Sequence, residues 1–303
     1  MKKLISVILV AVMAATLVFT LASCAALTKE GFIEICETAE AKKAEVQKDS
    51  VTVTVSAVFK NAEGNPYNGI MLTATRTVST VDGVTKMRID EEDSVFSFGK
   101  GFVKAGAASV YFDGKDAYTV ETRVGSDEKN VRKTENTTAA AALAEHPVAA
   151  RKNNRGASLE MSDFSVNEFS GEKSYIFTCA DNALFEKLVS EYVAYVFGDT
   201  LVIDTAEIED GKGIYTVASD GCVHFDYIKL TGKIILGGVS NVFEYESSIK
   251  TVAEGDAVVV EPIPDMGTLF PDKPAEPAEN TEVSEESGED GQKNPDPEPD
   301  EKG

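Results

Sequence analysis

Tryptophan is absent from this chain of 303 residues, and histidine occurs only at His146 and His224. Neither histidine has a candidate nucleophile or a second metal ligand nearby in the sequence, so the patterns of zinc proteases and serine or cysteine hydrolases are missing. We expect His146 to lie at a helix end and His224 to be a hydrogen-bonded strand residue. Gly99-Lys100-Gly101 is too short for a phosphate-binding loop and predicts a turn. The sequence therefore predicts no catalytic residue, no metal site and no cofactor, and a hydrolytic enzyme is the least favoured function.

Basic residues are scarce, because 29 Lys and Arg stand against 51 Asp and Glu and the formal net charge is −22. Such a chain repels nucleic acid and anionic membrane surfaces, so we expect no nucleic-acid partner. The acidic run at residues 90–93 lacks the spaced oxygen ligands and the glycine of a calcium-binding loop. We interpret it as a solvated turn.

Cysteine is also rare, with Cys36, Cys179 and Cys222 following Cys24. No two of them have the spacing of a zinc knuckle. We expect these three to be buried thiols that pack as small apolar side chains. The alternative is a disulfide between Cys179 and Cys222, which both lie at predicted strand ends.

Charged residues are missing from residues 4–21, which follow Lys2 and Lys3 and precede a small-residue segment. A positive start, an apolar core and small residues at the cut define a secretory signal. The apolar run approaches the length that spans a bilayer, so a retained transmembrane anchor is the alternative. The signal is favoured because a stop-transfer helix usually ends in flanking charge.

The tetrapeptide Leu21, Ala22, Ser23 and Cys24 resembles the lipobox of bacterial lipoproteins. This resemblance implies attachment of diacylglycerol to the Cys24 sulfur and cleavage before that residue, which makes residues 1–23 the signal peptide. Two acyl chains hold a protein stably on a membrane. We therefore expect an extracytoplasmic protein of the cell envelope whose membrane partner is contacted through the lipid on Cys24.

The stretch at residues 271–303 contains twelve acidic residues, three basic residues and six of the ten prolines. Such a segment buries too little apolar surface to offset the entropy lost on ordering, and its charges repel one another. We assign residues 266–303 to a disordered acidic tail. A solvating tail is the favoured interpretation, and a docking arm for a basic partner is the alternative.

Residues 24–265 carry the patterns of one folded domain. Apolar residues at helical spacing predict helices over residues 28–46, 138–146 and 181–198. Alternating or β-branched runs predict strands, which include residues 51–55, 70–80, 84–89, 109–112, 117–122, 158–165, 174–178, 201–208, 214–218, 223–229, 233–236, 242–248 and 257–260. Asp-Gly pairs at residues 82–83, 113–114 and 220–221 predict hairpins. The fold class is therefore α+β, with an antiparallel sheet built from sequential hairpins.

The order of these elements is similar to extracytoplasmic lipoproteins with a LolA-like or LppX-like half-barrel. The resemblance is carried by the first helix leading into residues 51–59, the 111–118 hairpin, the 183–197 helix, the 219–223 turn and the closing run at residues 255–262. It implies a curved antiparallel sheet whose concave face is closed by helices. It also implies that the protein binds or carries a lipid or another apolar molecule.

Our functional hypothesis is thus a noncatalytic binding module with a dry apolar cavity of several hundred Å³. The candidate cavity walls are apolar and aromatic residues of the predicted strands and of the third helix, namely Val53, Val55, Ile70, Leu72, Tyr111, Tyr118, Phe185 and Tyr192. The alternative is a structural or protein-interaction lipoprotein whose half-barrel is filled by its own helices. The sequence does not identify a protein partner.

Overall fold

The computed structural model describes residues 27–151, 159–198 and 200–271 of the chain. The predicted signal peptide, the lipobox at residues 21–24 and residues 272–303 of the predicted tail lie outside these ranges. The compact unit ends at Phe270. No helix in the described ranges combines the length and the apolar character needed to cross a bilayer.

Eleven strands form one open antiparallel sheet. The strands are β1 (Lys48–Asn61), β2 (Pro66–Val81), β3 (Val84–Ser97), β4 (Gly101–Phe112), β5 (Ala117–Arg123), β6 (Lys129–Thr134), β7 (Met161–Phe169), β8 (Glu172–Cys179), β9 (Ile203–Val217), β10 (Val223–Leu236) and β11 (Val239–Glu254). Their spatial order is β6-β5-β4-β3-β2-β1-β11-β10-β9-β8-β7, so β6 and β7 lie at the two edges. Two meanders of sequential hairpins are thus joined by the pairing of β1 with β11. The predicted α+β class with an antiparallel sheet is confirmed.

Four helices are present in the described ranges, and the first three lie where the sequence predicted them. They are α1 (Lys29–Ala44), α2 (Ala139–Ala144), α3 (Asn182–Phe197) and the short α4 (Met266–Leu269). The side chains of Thr28, Thr138 and Asp181 each accept a hydrogen bond from a backbone N–H in the first turn of α1, α2 and α3. These caps satisfy donors that a helix start leaves unpaired, which explains why the three helices begin where they do.

The predicted Asp-Gly hairpins are present. Asp82 and Gly83 have φ values of 51° and 77°, as a two-residue type I′ turn between β2 and β3 requires. At the β9–β10 turn, Asp220 Oδ1 accepts the backbone N–H of Cys222 at 2.8 Å. At the β4–β5 turn, Asp113 Oδ1 accepts the N–H groups of Lys115 and Asp116, both at 2.8 Å.

Two strand predictions were wrong. Residues 257–260 are not a strand, because β11 ends at Glu254 and a 3₁₀ turn over Gly255–Ala257 takes the chain out of the sheet. The breaks predicted at residues 209–213 and 230–232 do not exist, because β9 and β10 run through them without interruption.

Glycines in β9 and β10 instead allow aromatic rings to lie directly on the backbone. A Cβ atom added to Gly213 would be 2.0 Å from the Cζ atom of Phe177. A Cβ atom added to Gly232 would be 2.6 Å from Cζ of Phe185 and 2.2 Å from the carbonyl oxygen of Glu207. Both aromatic rings are fully buried, so the strands need glycine here for close packing.

We expect Gly213→Ala to lower the free energy of unfolding by about 1–3 kcal/mol, because the buried Phe177 ring must move to admit the methyl group. Urea unfolding followed by circular dichroism measures this change. Gly267→Ala is the matched control, since a Cβ atom there meets nothing within 4 Å. Equal unfolding midpoints for the two variants would show that the ring does not rest on Gly213.

The main hydrophobic core lies between one face of the sheet and helices α1 and α3. Seven neighbouring strands, from β7 through β11 and β1 to β2, contribute buried side chains to it. Laid flat at about 4.8 Å per strand, these seven would extend over roughly 29 Å, wider than two helices of about 10 Å diameter. The sheet therefore curves around its helices, as expected for a half-barrel, and the face carrying the core is the concave face.

The opposite, convex face carries the end of the compact unit. Residues 258–270, here called the C-terminal strap, pack Ile263 and Phe270 onto a small cluster that contains Tyr111 and Tyr118. The ring centroids of Tyr118 and Phe270 are 5.2 Å apart. Arg88 donates a hydrogen bond to the carbonyl oxygen of Pro262 at 2.8 Å. The structured part thus includes α4, which falls within the range assigned to the tail.

Candidate functional site

A cavity of about 550 Å³ opens between α1 and the concave face of the sheet. We call it the α1 cavity. Its apolar side is formed by Val51, Val223 and Ile249, which come from the adjacent strands β1, β10 and β11 and are all buried. Ala41 and Ala44 of α1 face them with small side chains. The cavity has the size of a small-molecule site, and part of its surface is apolar.

Charged groups form the rest of the lining, and the acidic Asp49 is already neutralised by a neighbour. Lys43 Nζ lies 3.5 Å from Asp49 Oδ2, and it also forms an ion pair with Glu254. The same ammonium group donates a hydrogen bond to Thr251 Oγ1 at 3.2 Å. Glu37 and Glu40 of α1 also line the cavity, so its lining holds three acidic and three basic side chains.

Arg76 lies on the other side of the cavity. Its Nη1 atom donates to the carbonyl oxygen of Ala149 at 3.2 Å, and its Nη2 atom is 4.0 Å from Asp49 Oδ2. The Nε atom is buried and has no hydrogen-bond partner among the described residues. A buried guanidinium donor without a partner is costly unless something else accepts its hydrogen bond.

Arg151 supplies a second guanidinium group to the same cavity. It donates hydrogen bonds to the hydroxyl groups of Tyr245, of Tyr192 at 3.3 Å and of Ser247 at 3.5 Å. Within the described part of the chain, all of its hydrogen-bond partners are thus neutral hydroxyl groups. Burial acts against the positive charge, but the contacts with Tyr245 and Tyr192 raise the pKa of Arg151 above its ordinary value. The Glu191 carboxylate acts on the Arg151 pKa in the same direction, so the guanidinium group stays positively charged.

A second cavity of about 550 Å³ lies on the concave face of β2 to β5, away from α1. Its floor is formed by the small residues at positions 105–108, and Glu91, Asp93 and Glu121 project into it. Arg123 is the basic residue in its lining. Acidic side chains therefore outnumber basic ones in this acidic groove, whereas the lining of the α1 cavity carries three of each.

The acidic run at residues 90–93 was predicted to be a turn, and this prediction was wrong because the run lies inside β3. Alternation places its members on two faces. Asp90 and Glu92 pair on the outside with Arg88 and Lys104 at 2.7 Å and 2.6 Å. Glu91 and Asp93 face the acidic groove.

His146 lies just after α2, near the helix end as predicted, and its backbone N–H donates to Leu143 at 2.9 Å. Its side chain is buried, and Nδ1 lies 2.6 Å from Glu91 Oε2. No pattern along the chain indicates this pair, because its members are on separate elements. His224 lies in β10, as predicted for a strand residue.

The predicted wall residues lie in three places. Val53, Val55, Ile70, Phe185 and Tyr192 are buried together in the main core, where they pack against other protein side chains. Leu72 borders this core and also lines the acidic groove. Tyr111 and Tyr118 are on the convex face beneath the C-terminal strap. A role for any of them in ligand contact stays a prediction, and the lipobox residues lie outside the described ranges.

The sequence analysis missed Arg76 and Arg151 as site residues. Arg76 lies in the predicted strand at residues 70–80, and Arg151 lies outside every predicted helix and strand. Neither position has a local motif, because the two residues are 75 positions apart and meet only through the fold. The three cysteines of the described ranges are buried and form no disulfide, in agreement with the favoured prediction of buried thiols.

No family model matches the chain, and no curated protein matches it. Among solved structures, a porin-like protein from Bacteroides uniformis is 10% identical, covers 66% of this chain and 95% of its own, and has a TM-score of 0.18. A candidate AttH protein from Nitrosomonas europaea is 8% identical, covers 66% of this chain and 92% of its own, and has a TM-score of 0.15. Similarity this low gives no information about the function of this chain.

Proposed function

We propose that this chain is an extracytoplasmic lipoprotein that is held on a membrane through Cys24 and binds an amphipathic anion in its α1 cavity. The binding is noncatalytic. The anionic group of the ligand, a carboxylate or a phosphate ester, pairs with Arg76 and Arg151. Its apolar part lies on Val51, Val223 and Ile249. The class of ligand is a fatty acid or an acidic lipid.

The two arginines carry this proposal. Arg151 is a half-buried cation that donates hydrogen bonds to three neutral hydroxyl groups, and Arg76 has a buried Nε donor that the described residues leave unpaired. Guanidinium groups bind carboxylates and phosphates through paired N–H donors, which is why they are preferred at such sites. An anion in the α1 cavity would satisfy both groups at once.

The half-barrel architecture agrees with the resemblance to LolA-like and LppX-like lipoproteins, although the cavity differs from the dry apolar chamber that we expected. The apolar surface of the concave face is covered by α1 and α3, and what remains open is partly charged. A ligand with one polar end fits this lining better than a wholly apolar molecule, because a buried charge needs a partner.

The second candidate function is a structural or protein-interaction lipoprotein without a small-molecule ligand. It is favoured by one observation, which is that five of the eight predicted wall residues are packed within the main core. In that case the arginines would stabilise the fold, and the acidic tail would be a spacer or docking arm.

Native mass spectrometry of the chain, secreted without lipid as the Cys24→Ala variant and purified without detergent, tests the proposal. We expect a discrete added mass that lipid extraction removes and that oleate or phosphatidic acid restores. Oleyl alcohol should bind at least about tenfold more weakly, because it cannot form charge-assisted hydrogen bonds with the arginines.

Arg151→Met should lower occupancy by oleate about tenfold or more for the same reason. Arg132→Met is the matched control, because Arg132 is half exposed on β6 and pairs with Glu145. An unchanged apo mass after incubation with oleate and phosphatidic acid would refute ligand binding and favour the structural function. An equal loss of oleate occupancy in Arg151→Met and Arg132→Met would refute the role of Arg151.

A further inference from the structure

A group of metal-binding side chains lies at the end of the sheet where α1 finishes. One ligand atom from each of Asp220, His224 and Glu254 lies within 4.8 Å of the others. The three residues come from the β9–β10 turn, from β10 and from the end of β11. The pairing of β10 with β11 brings Glu254 to Asp220 and His224, from which it is at least 30 positions distant in the sequence.

His224 is oriented by carboxylates on both of its ring nitrogens. Its Nδ1 atom is 3.3 Å from Glu172 Oε1, and its Nε2 atom is 4.0 Å from Glu254 Oε2. If Nδ1 carries the proton and donates it to Glu172, the lone pair of Nε2 faces Glu254. A carboxylate that holds one imidazole nitrogen while the other points at an ion is the usual arrangement around protein-bound metals.

In Glu254 and Asp220, neighbouring groups contact one carboxylate oxygen and leave the other available to a metal ion. Glu254 contacts Lys43 through Oε1, so Oε2 stays directed towards His224. Asp220 accepts the Cys222 N–H through Oδ1, and its carbonyl oxygen accepts a hydrogen bond from Lys42 Nζ at 3.2 Å. Oδ2 of Asp220 remains for a ligand bond.

We propose that Asp220, His224 and Glu254 bind Zn²⁺, with Glu172 as the positioning residue for His224. One imidazole nitrogen and two carboxylate oxygens suit zinc, whereas Ca²⁺ and Mg²⁺ prefer oxygen ligands throughout. Tetrahedral bonds of about 2.1 Å need donor atoms about 3.4 Å apart. The present separations of 4.0 Å and up to 4.8 Å close by small side-chain rotations, because Asp220 is exposed and the other two are half-buried.

Isothermal titration calorimetry of the full chain with Zn²⁺ alone, carried out in detergent, tests this site. We expect one saturable site in the unaltered chain that His224→Ala weakens at least about tenfold. Glu172→Ala should weaken it about tenfold or more, as is typical when an outer carboxylate is removed from a metal-bound histidine. His146→Ala is the matched control and should leave the affinity unchanged.

A variant that only damages the fold cannot strengthen binding, so Lys43→Met gives an independent measurement. Removing this ammonium group frees Glu254 and takes away a repelling charge, and Zn²⁺ affinity should rise about fivefold. Equal affinities of the unaltered chain and His224→Ala would overturn the proposal, as would a chain that shows no saturable site. Neither result bears on the α1 cavity, whose ligand is tested with oleate.

Discussion

Phe32→Ala is expected to lower the free energy of unfolding by about 3–5 kcal/mol, the usual cost of truncating a buried phenylalanine. Phe32 is fully buried on α1. Its ring centroid lies 5.2 Å from Phe164, 5.1 Å from Phe177 and 5.9 Å from Tyr215, on strands β7, β8 and β9. The cost should be large because rings from three strands cannot all move into the space that is left.

Chemical unfolding in urea measures this loss, and Phe98→Ala provides the matched control. Phe98 is 86% exposed in the β3–β4 turn, so its truncation should change stability by less than about 0.5 kcal/mol. Because Phe32 fixes α1 to the sheet, its removal should also reduce oleate binding in the α1 cavity. A stability change as small as that of Phe98→Ala would mean that α1 does not hold this part of the core.

Cys24→Ala, expressed behind a signal peptide whose cleavage does not require a lipidated cysteine, is expected to move nearly all of the protein from the membrane fraction to the soluble fraction. The physical reason is that two acyl chains on the cysteine sulfur supply the anchoring free energy, and without them the acidic chain has no attraction to an anionic surface. Cell fractionation followed by immunoblotting measures the distribution. Mass spectrometry of the N-terminal peptide should find the diacylglyceryl group in the unaltered protein.

Cys36→Ala is the matched control, since Cys36 is a buried thiol of α1 and its loss should leave the protein on the membrane. An unaltered protein that is found in the membrane fraction with residues 1–23 still attached would support the alternative of a retained transmembrane anchor. A soluble unaltered protein would exclude both forms of anchoring.

The parts of the fold that the sequence predicted are those set by local chemistry. Asp82-Gly83 specifies its hairpin because both residues adopt positive φ at low cost. Thr28 and Asp181 specify helix starts because their side chains cap the first turn. Such signals depend on residues within a few positions of one another, so they can be recognised without the tertiary structure.

The parts that the sequence did not predict depend on distant partners. Gly213 and Gly232 lie outside the predicted strands, and their role in close packing depends on Phe177 and Phe185, which belong to other elements. The acidic residues at positions 90–93 resemble a solvated turn, because their basic partners and the groove they face are on other strands. Arg151 is a candidate site residue because it donates hydrogen bonds to the hydroxyl groups of Tyr192 and Tyr245. No spacing along the chain indicates these contacts.

The pairing of β1 with β11 determines when this domain can finish folding. Val53 pairs with Ile249, so the central seam of the sheet joins strands from opposite ends of the domain. Each meander can form from local hairpins. The edge of β1 that pairs with β11 stays open until the chain has been synthesised as far as Glu254 and β11 has paired with it. Contacts of such long sequence separation are slow to form, and exposed strand edges invite aggregation. We therefore expect joining of the two meanders to limit the rate of folding and the half-folded chain to depend on a chaperone.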